Sequence, residues 1–126
     1  MMFDTDVMIW FLRRRPAAVL LVDREPLRRL SIVCLMELLQ GAKSKREAAE
    51  IRRFLRDNDF DIVPVDESTS HAALAFIEEH AQADGLQIPD ALIAATALQT
   101  GDVLATASVR HFRRLHGLEL KHFRPD

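Results

Sequence analysis

The sequence has no tyrosine, a single cysteine, and only three lysines, at Lys43, Lys45 and Lys121. The lone Cys34 excludes an internal disulfide and is typical of a reducing compartment, so we expect a cytoplasmic protein. The absence of tyrosine argues against any mechanism that needs a phenolic acid. No lysine lies between Lys45 and Lys121, and this gap argues against reactions that depend on a lysine in that part of the chain.

Long apolar runs are also missing, and they bound the class of protein. No run approaches the length of a membrane span, and no charged-then-apolar leader opens the chain, so we expect no membrane association. The formal net charge of -2 argues against a generic nucleic-acid coat protein, which would be basic. It does not exclude an enzyme that meets a phosphodiester through a metal ion.

The 126 residues contain no repeat, low-complexity tract or Gly/Ser-rich linker, which predicts a single domain over residues 1–126. The apolar pattern predicts alternating strands and helices. We expect strands at 1–4, 29–33, 62–65 and 103–106, with a marginal strand at 118–120. We expect helices at 6–13, 16–22, from the second strand to Gly41, at 45–57, from a cap at Asp66 or Ser68 to Gly85, from Pro89 and Asp90 to Gly101, and at 109–115. Such alternation implies an α/β fold, a three-layer sandwich with a central parallel sheet and helices on both faces.

Three acidic residues stand at the junctions of apolar segments: Asp4, Glu37 and Asp90. A carboxylate in apolar sequence is costly to bury unless it is paired, and few basic residues are near any of the three. Sites in open parallel sheets form outside the carboxyl ends of the strands. Asp4 sits at such an end, Glu37 follows another by one helical turn, and Ser108 lies just past the strand at 103–106. We therefore expect these residues and Asp90 to converge on one cleft.

A shared hard cation is the simplest partner for such a cluster. Mg²⁺ or Mn²⁺ takes oxygen ligands, keeps several waters and leaves positions for a substrate phosphate. No histidine or cysteine has zinc-ligand spacing, so zinc is not expected. Each acid also has a simpler interpretation: Asp4 as a helix N-cap, Asp90 as a charge at the positive end of its helix, and Glu37 as a solvated residue. Asp6 is interpreted as a first-turn helix carboxylate.

The remaining polar residues carry a weaker signal. The histidines share no spacing with a carboxylate or a nucleophile, and all are interpreted as surface or helix-end residues: His71, His80, His111, His116 and His122. Cys34 is interpreted as a small buried residue. The run 13–15 and the pair 113–114 are arginine-rich solvated faces, although arginines at 110–114 follow the proposed active strand and suit a phosphate backbone.

Four segments, in order and spacing, resemble the PIN-domain nucleases, and specifically the VapC-like toxins of toxin–antitoxin modules. They are Phe3–Val7, Glu37–Gly41, Ile88–Leu98 and Leu104–Phe112. The resemblance spans nearly the whole chain. Each motif alone is weakly specific, but the ordered set is fairly specific.

This resemblance implies a Mg²⁺- or Mn²⁺-dependent endoribonuclease with Asp4, Glu37 and Asp90 as its acidic cluster and Ser108 as a further metal ligand. Candidate substrate contacts are Thr5, Thr106 and Arg110. The resemblance also implies a homodimer, and a heterotetramer or larger complex with a cognate antitoxin that blocks the site. We expect the antitoxin in an apolar groove on the helices that carry Leu38, Leu39, Ile51, Phe54 and Leu55.

The sequence departs from the family pattern at Ser108, where many members have Asp or Asn. This departure keeps open an alternative, a degenerate PIN domain that binds RNA or a protein partner without cleavage. The segment Asp4–Val7 also mimics the nucleophile motif of haloacid-dehalogenase phosphatases, but that chemistry needs a late lysine. A response-regulator receiver needs an Asp at the end of its third strand, whereas Asp61 precedes the predicted strand.

Overall fold

A computed structural model, which describes residues 1–125, contains a five-stranded parallel sheet with the strand order β3-β2-β1-β4-β5. The strands are β1 (Met2–Phe3), β2 (Arg28–Ser31), β3 (Phe60–Val63), β4 (Leu104–Thr106) and β5 (Leu120–His122). The flanking helices are α1 (Thr5–Leu12), α2 (Pro16–Asp23), α3 (Ile32–Gln40), α4 (Lys45–Asp57), α5 (Glu67–Asp84), α6 (Ile88–Thr100) and α7 (Val109–Phe112). The predicted three-layer α/β fold is confirmed.

One boundary difference falls where a strand runs directly into a helix. Residues 32 and 33 were predicted as strand but belong to α3, because the Ser31 hydroxyl caps this helix by accepting from the backbone N–H of Val33 at 3.1 Å. The third strand is Phe60–Val63, so the predicted strand at 62–65 was placed two residues too late; it ends before Pro64 and lies at one edge of the sheet, as predicted from that proline. The last strand begins at Leu120, so the predicted strand at 118–120 was placed too early.

The helix ends follow local chemistry closely. The cap of α5 is Asp66 and not Ser68, since the Asp66 carboxylate accepts from the backbone N–H of Thr69 at 2.8 Å. Gly85 and Gly101 end α5 and α6 with φ values of 69° and 72°, a left-handed conformation that favours glycine. The predicted helix at 109–115 is shorter, ending at Phe112.

The sheet changes its direction of growth between β1 and β4. From β1 the chain adds β2 and then β3 on one side, and it returns to add β4 and then β5 on the other. The register pairs Phe3 with Ala105, and the backbone N–H of Asp4 donates to the carbonyl of Ala105 at 2.9 Å. Ligands of open α/β sheets bind in the crevice at such a switch point, outside the carboxyl ends of the strands.

The core surrounds this switch point. Met2, Phe3, Leu104 and Ala105 on the two central strands are completely buried, and Phe3 packs edge-on against Phe60 of the edge strand. Cys34 of α3 is buried as predicted, and its thiol donates to the Phe3 carbonyl with a separation of 3.7 Å. Among the described residues, no helix is both long and apolar enough to cross a membrane.

A candidate acidic site at the switch point

Asp4 follows β1 and is only 6% exposed. It is also the N-cap of α1, since its Oδ1 accepts from the backbone N–H of Thr5 at 2.8 Å. Its Oδ2 accepts from the Thr106 hydroxyl at 2.7 Å. The simpler interpretation of Asp4 as a helix cap is therefore correct, and it is compatible with a site because the cap lies at the switch point.

Asp6 lies one residue into α1 and faces the end of β4. Its carboxylate accepts from the backbone N–H of Ala107 at 3.2 Å and from the Ser108 hydroxyl at 3.0 Å. The backbone N–H of Ser108 in turn donates to the Thr106 hydroxyl at 2.9 Å. Asp6 is thus part of the acidic group, and Ser108 is bound to it as a hydrogen-bond donor.

Glu37 reaches this edge from α3. Its Oε1 accepts from the Thr5 hydroxyl at 2.6 Å, although 32 residues separate the two. The hydroxyl sits at the first residue of α1, directly after Asp4. This hydrogen bond brings the second predicted acid to the same crevice as the first.

Asp90 enters from the first turn of α6. Its Oδ2 lies 3.2 Å from Nδ1 of His111 on α7. The Asp90 side chain is 22% exposed, whereas that of His111 is 54% exposed. One edge of the site is therefore an imidazole open to solvent.

Burial and neighbouring charges shift the pKa values of two of these carboxylates. Burial, together with the neighbouring Asp6 carboxylate, raises the pKa of Asp4 to about 7; the hydrogen bonds from Thr106 and Thr5 oppose this shift and Asp90 adds to it. Burial also raises the pKa of Asp90, against the opposing effect of His111, and the charges of Glu37 and Asp6 raise it further. Asp4, Asp6, Glu37 and Asp90 therefore form an acidic cluster, the name used below.

Basic side chains do not balance this cluster. Within residues 1–125, no lysine or arginine forms an ion pair with any of its four members, and His111 is the one ion-pair partner, bound to Asp90. In the same range no three His, Cys, Asp or Glu side chains form a group arranged to hold a metal ion. Each acid is instead bound to donors of the protein itself, which hold the carboxylates in separate positions.

The donor set nevertheless suits a hard divalent cation. Its side-chain oxygens come from four carboxylates and the hydroxyls of Thr5, Thr106 and Ser108, and such oxygens are the ligands that Mg²⁺ and Mn²⁺ prefer. Mg²⁺ commonly binds through one or two carboxylates and keeps several waters, so it does not require a preformed protein cage. Burial and repulsion raise the pKa of Asp4, and a bound cation would oppose both effects by favouring the charged carboxylate.

The three predicted substrate contacts differ in their exposure and in their hydrogen-bond partners. Thr106 is completely buried, and its hydroxyl is committed to Asp4. Thr5 is bound to Glu37. Arg110 is exposed and lines a small cavity beside His111.

The sequence did not predict the contacts of two residues in this region. His111 is exposed as expected, but its contact with Asp90 was not predicted. Asp6 lies in the first turn of α1 as interpreted, and its hydrogen bond to the end of β4 was not predicted. His80, interpreted as a surface or helix-end residue, is instead buried: it is 8% exposed and its Nδ1 lies 2.7 Å from Asp84 Oδ2. The spacing Asp4-x-Asp6 was the one sequence signal for Asp6.

A groove opens next to the cluster between α1, α3 and α4. Its volume is about 530 Å³, and Glu37 lies in its wall. The predicted apolar residues Leu38, Ile51 and Phe54 line it, together with Ile9 and Leu12 of α1. The predicted Leu39 and Leu55 do not line this groove, and Leu55 is buried on the side of α4 that faces a second cavity. We call the first of these the helical groove.

Known structures share this architecture. A toxin–antitoxin complex from Klebsiella pneumoniae contains a chain 25% identical in sequence, with a TM-score of 0.79 over 99% of this chain and 97% of that one. DNA-bound VapBC from Salmonella typhimurium has a chain 25% identical, with a TM-score of 0.76 over 96% of each chain. VapBC2 from Rickettsia felis, bound to a promoter DNA fragment, is 21% identical with a TM-score of 0.80 over 98% of each chain, a likeness of fold.

No curated protein sequence matches this chain. The family model for the PIN domain matches residues 1–118, a range that includes the whole acidic cluster and all strands but the last. The resemblance seen in the four sequence motifs is thereby confirmed, and this chain belongs to the PIN domain family.

Proposed function

We propose that this chain is a single-domain, Mg²⁺- or Mn²⁺-dependent endoribonuclease that acts in the cytoplasm as the toxin of a toxin–antitoxin pair. The observation that carries the proposal is the acidic cluster at the switch point, where no arginine or lysine of residues 1–125 balances its charge. Membership of the PIN domain family supports nuclease chemistry. The similarity to solved toxin–antitoxin complexes supports the toxin role.

Asp4, Glu37 and Asp90 are the proposed catalytic and metal-binding residues, and Ser108 is a further candidate ligand beside Asp6. When bound there, Mg²⁺ or Mn²⁺ neutralises charge on a phosphodiester and activates a water for attack on phosphorus. The protein's contribution is placement: Thr106 and the start of α1 fix both oxygens of Asp4, and Thr5 fixes Glu37. These contacts come from strands and helices and not from long loops, so the acids keep their positions before substrate arrives.

The test is RNA cleavage by the purified protein with Mg²⁺ or Mn²⁺, compared with Asp4→Asn and Asp90→Asn. Asp23→Asn is the matched control, since Asp23 is an exposed carboxylate at the end of α2. We expect cleavage by the native protein and by the control, and loss of cleavage in the two cluster variants and in EDTA. An inert native protein with both metals, or cluster variants that cut as well as the native protein, would reject the enzyme and favour a degenerate domain that only binds.

For the antitoxin we propose the helical groove as the binding site. Its floor is apolar, and Glu37, Glu47 and Glu50 contribute carboxylates against the single guanidinium of Arg13. A peptide helix with apolar anchors and basic flanks matches these properties. Because Glu37 belongs to both the groove and the acidic cluster, an occupant of the groove also blocks the site.

The proposed assembly is a homodimer that forms a heterotetramer or larger complex with the antitoxin. Apolar side chains of the required kind are exposed on several elements, among them Leu20, Leu74 and Ile88. Light scattering of the toxin alone and of the co-purified complex distinguishes a dimer from a monomer, and a monomer at micromolar concentration would contradict the homodimer.

A further inference from the structure

A second, basic cavity adjoins the acidic cluster. It lies between the end of α5 and α7, has a volume of about 190 Å³, and is lined by His80, Asp84, Arg110, His111, Arg113 and Arg114. We call it the arginine pocket. His111 connects it to the acidic cluster, because its imidazole forms part of the wall of the arginine pocket and lies 3.2 Å from Asp90.

The charge of the arginine pocket is opposite to that of its neighbour. The lining includes three arginines and one carboxylate, that of Asp84, which lies 2.7 Å from His80 Nδ1 and 3.4 Å from a guanidinium nitrogen of Arg114. Within residues 1–125, neither Arg110 nor Arg113 has an ion-pair partner. A local excess of positive charge in a chain of net charge -2 indicates an anionic ligand.

One wall of the arginine pocket contains a buried histidine that contacts an acidic residue. His80 is 8% exposed and holds Asp84, and Asp84 holds Arg114. Arg114 therefore has an ion-pair partner in the arginine pocket, while the guanidinium groups of Arg110 and Arg113 remain available for two-point contacts with a phosphate. The volume suits a phosphate with part of its sugar and is smaller than the range of about 300–1,000 Å³ typical of sites for drug-sized ligands.

We propose that the arginine pocket binds a backbone phosphate of the RNA next to the phosphodiester that is cleaved at the acidic cluster. This inference rests on the proposed nuclease function. An acidic cluster alone repels the polyanionic substrate, and the arginine pocket supplies attraction beside it without placing a cation among the acids.

The decisive variant is Arg113→Ala, because removal of Arg114 would leave Asp84 short of a partner and disturb the wall. Arg53→Ala is the matched control, since Arg53 is exposed on α4 and does not line the arginine pocket. Arg113→Lys keeps the charge but loses the planar guanidinium, so we expect its RNA affinity to lie between those of Arg113→Ala and Arg53→Ala.

The first measurement is binding of a single-stranded RNA hexanucleotide to the non-cleaving Asp4→Asn protein across a range of salt concentrations. Adding Arg113→Ala should weaken binding by roughly three- to tenfold and reduce the slope of log K against log[salt] by about 0.7, the value for one phosphate contact on a single strand. Adding Arg53→Ala should change neither quantity. Unchanged affinity and slope with Arg113→Ala would overturn the proposal.

The second measurement is cleavage of a dinucleotide, which has one phosphodiester, against the hexanucleotide. We expect the native protein to show a higher kcat/KM for the longer RNA and Arg113→Ala to lose most of that ratio. If native protein cleaves both but Arg113→Ala keeps the ratio, the phosphate site is wrong and the nuclease stands. If native protein cleaves neither, the nuclease proposal fails, and the binding measurement still decides the arginine pocket.

Discussion

The Thr106 hydroxyl donates to Asp4 Oδ2 at 2.7 Å, although 102 residues separate the two in sequence. Each residue stands at the carboxyl end of a central strand, so this hydrogen bond bridges β1 and β4 at the switch point of the sheet. The same hydroxyl accepts from the backbone N–H of Ser108 at 2.9 Å, which orients its own proton toward the carboxylate. Thr106 is therefore a positioning residue of the proposed catalytic site.

The first prediction concerns this hydroxyl. Thr106→Val keeps the volume but removes the donor, so the pKa of Asp4 should rise further and metal binding should require a higher pH. We expect the acid limb of the pH–activity profile to move upward and activity at pH 7 to fall by about tenfold, the loss of one hydrogen bond to a charged group. Thr106→Ser should restore the profile. An unchanged acid limb in Thr106→Val would contradict the positioning role.

The second prediction concerns stability without metal. The pKa of Asp4, about 7 in the folded chain, lies above its usual value of 3.8, so folding favours the protonated carboxyl. Asp4 therefore contributes stability that is present below its unfolded pKa and lost as the pH rises through about 7. In EDTA at pH 8, Asp4→Asn should unfold at a higher urea concentration than the native protein. Its free energy of unfolding should be larger by about 2–4 kcal/mol.

Two controls define that result. The difference between Asp4→Asn and the native protein should shrink toward pH 5, and Asp23→Asn should show no such pH dependence because Asp23 is exposed. Mg²⁺ or Mn²⁺ should stabilise the native protein at pH 8 and not the variant. If Asp4→Asn is less stable than the native protein at both pH values, the claim that the buried Asp4 carboxylate destabilises the metal-free fold is refuted.

The third prediction uses the departure of this chain at Ser108. Its hydroxyl donates to Asp6 at 3.0 Å, so Ser108→Asp replaces a donor with a second carboxylate beside the first. Repulsion should lower the metal-free stability by about 1–3 kcal/mol, and saturating Mn²⁺ should recover most of that loss. Thermal unfolding with and without Mn²⁺ measures both effects. Ser108→Ala separates loss of the hydrogen bond from added charge, and a variant insensitive to Mn²⁺ would exclude Ser108 from the metal site.

The fourth prediction separates antitoxin binding from catalysis. Ile51→Lys places a charge in the apolar wall of the helical groove and leaves all four residues of the acidic cluster unchanged. RNA cleavage should persist, while protection by a co-expressed antitoxin from an adjacent reading frame should fall by at least about tenfold. Leu27→Lys is the matched control, as Leu27 is 59% exposed and does not line the helical groove. Protection that survives Ile51→Lys would move the antitoxin to another surface.

The fold was largely predictable because its signals are local. Gly85, Gly101 and Pro64 mark the ends of their elements by backbone geometry alone, and the α4 boundaries follow from its amphipathic pattern. The strand–helix junction at Ser31 was misplaced because Ile32 and Val33 are β-branched residues that favour strands, and the Ser31 cap overrides this preference. Tertiary context, and not propensity, decides such a junction.

The site was predictable only in part, for a physical reason. Asp4, Glu37 and Asp90 stand out since they interrupt apolar sequence, which is visible without a structure. The roles of Asp6 and His111 depend on contacts with residues 101 and 21 positions away. Nothing in local patterning reports such pairings. The arginine pocket likewise exists only because α7 folds against the end of α5.

Cys34 gives this chain a built-in chemical reporter. Its thiol is completely buried and donates to the carbonyl of Phe3, the residue before Asp4, and burial raises its pKa well above the usual range, so the reactive thiolate does not form while the core is closed. Because no other cysteine competes, the rate of thiol labelling measures how often the core next to Asp4 opens. A ligand that binds the acidic cluster should slow the labelling in proportion to the stability it adds.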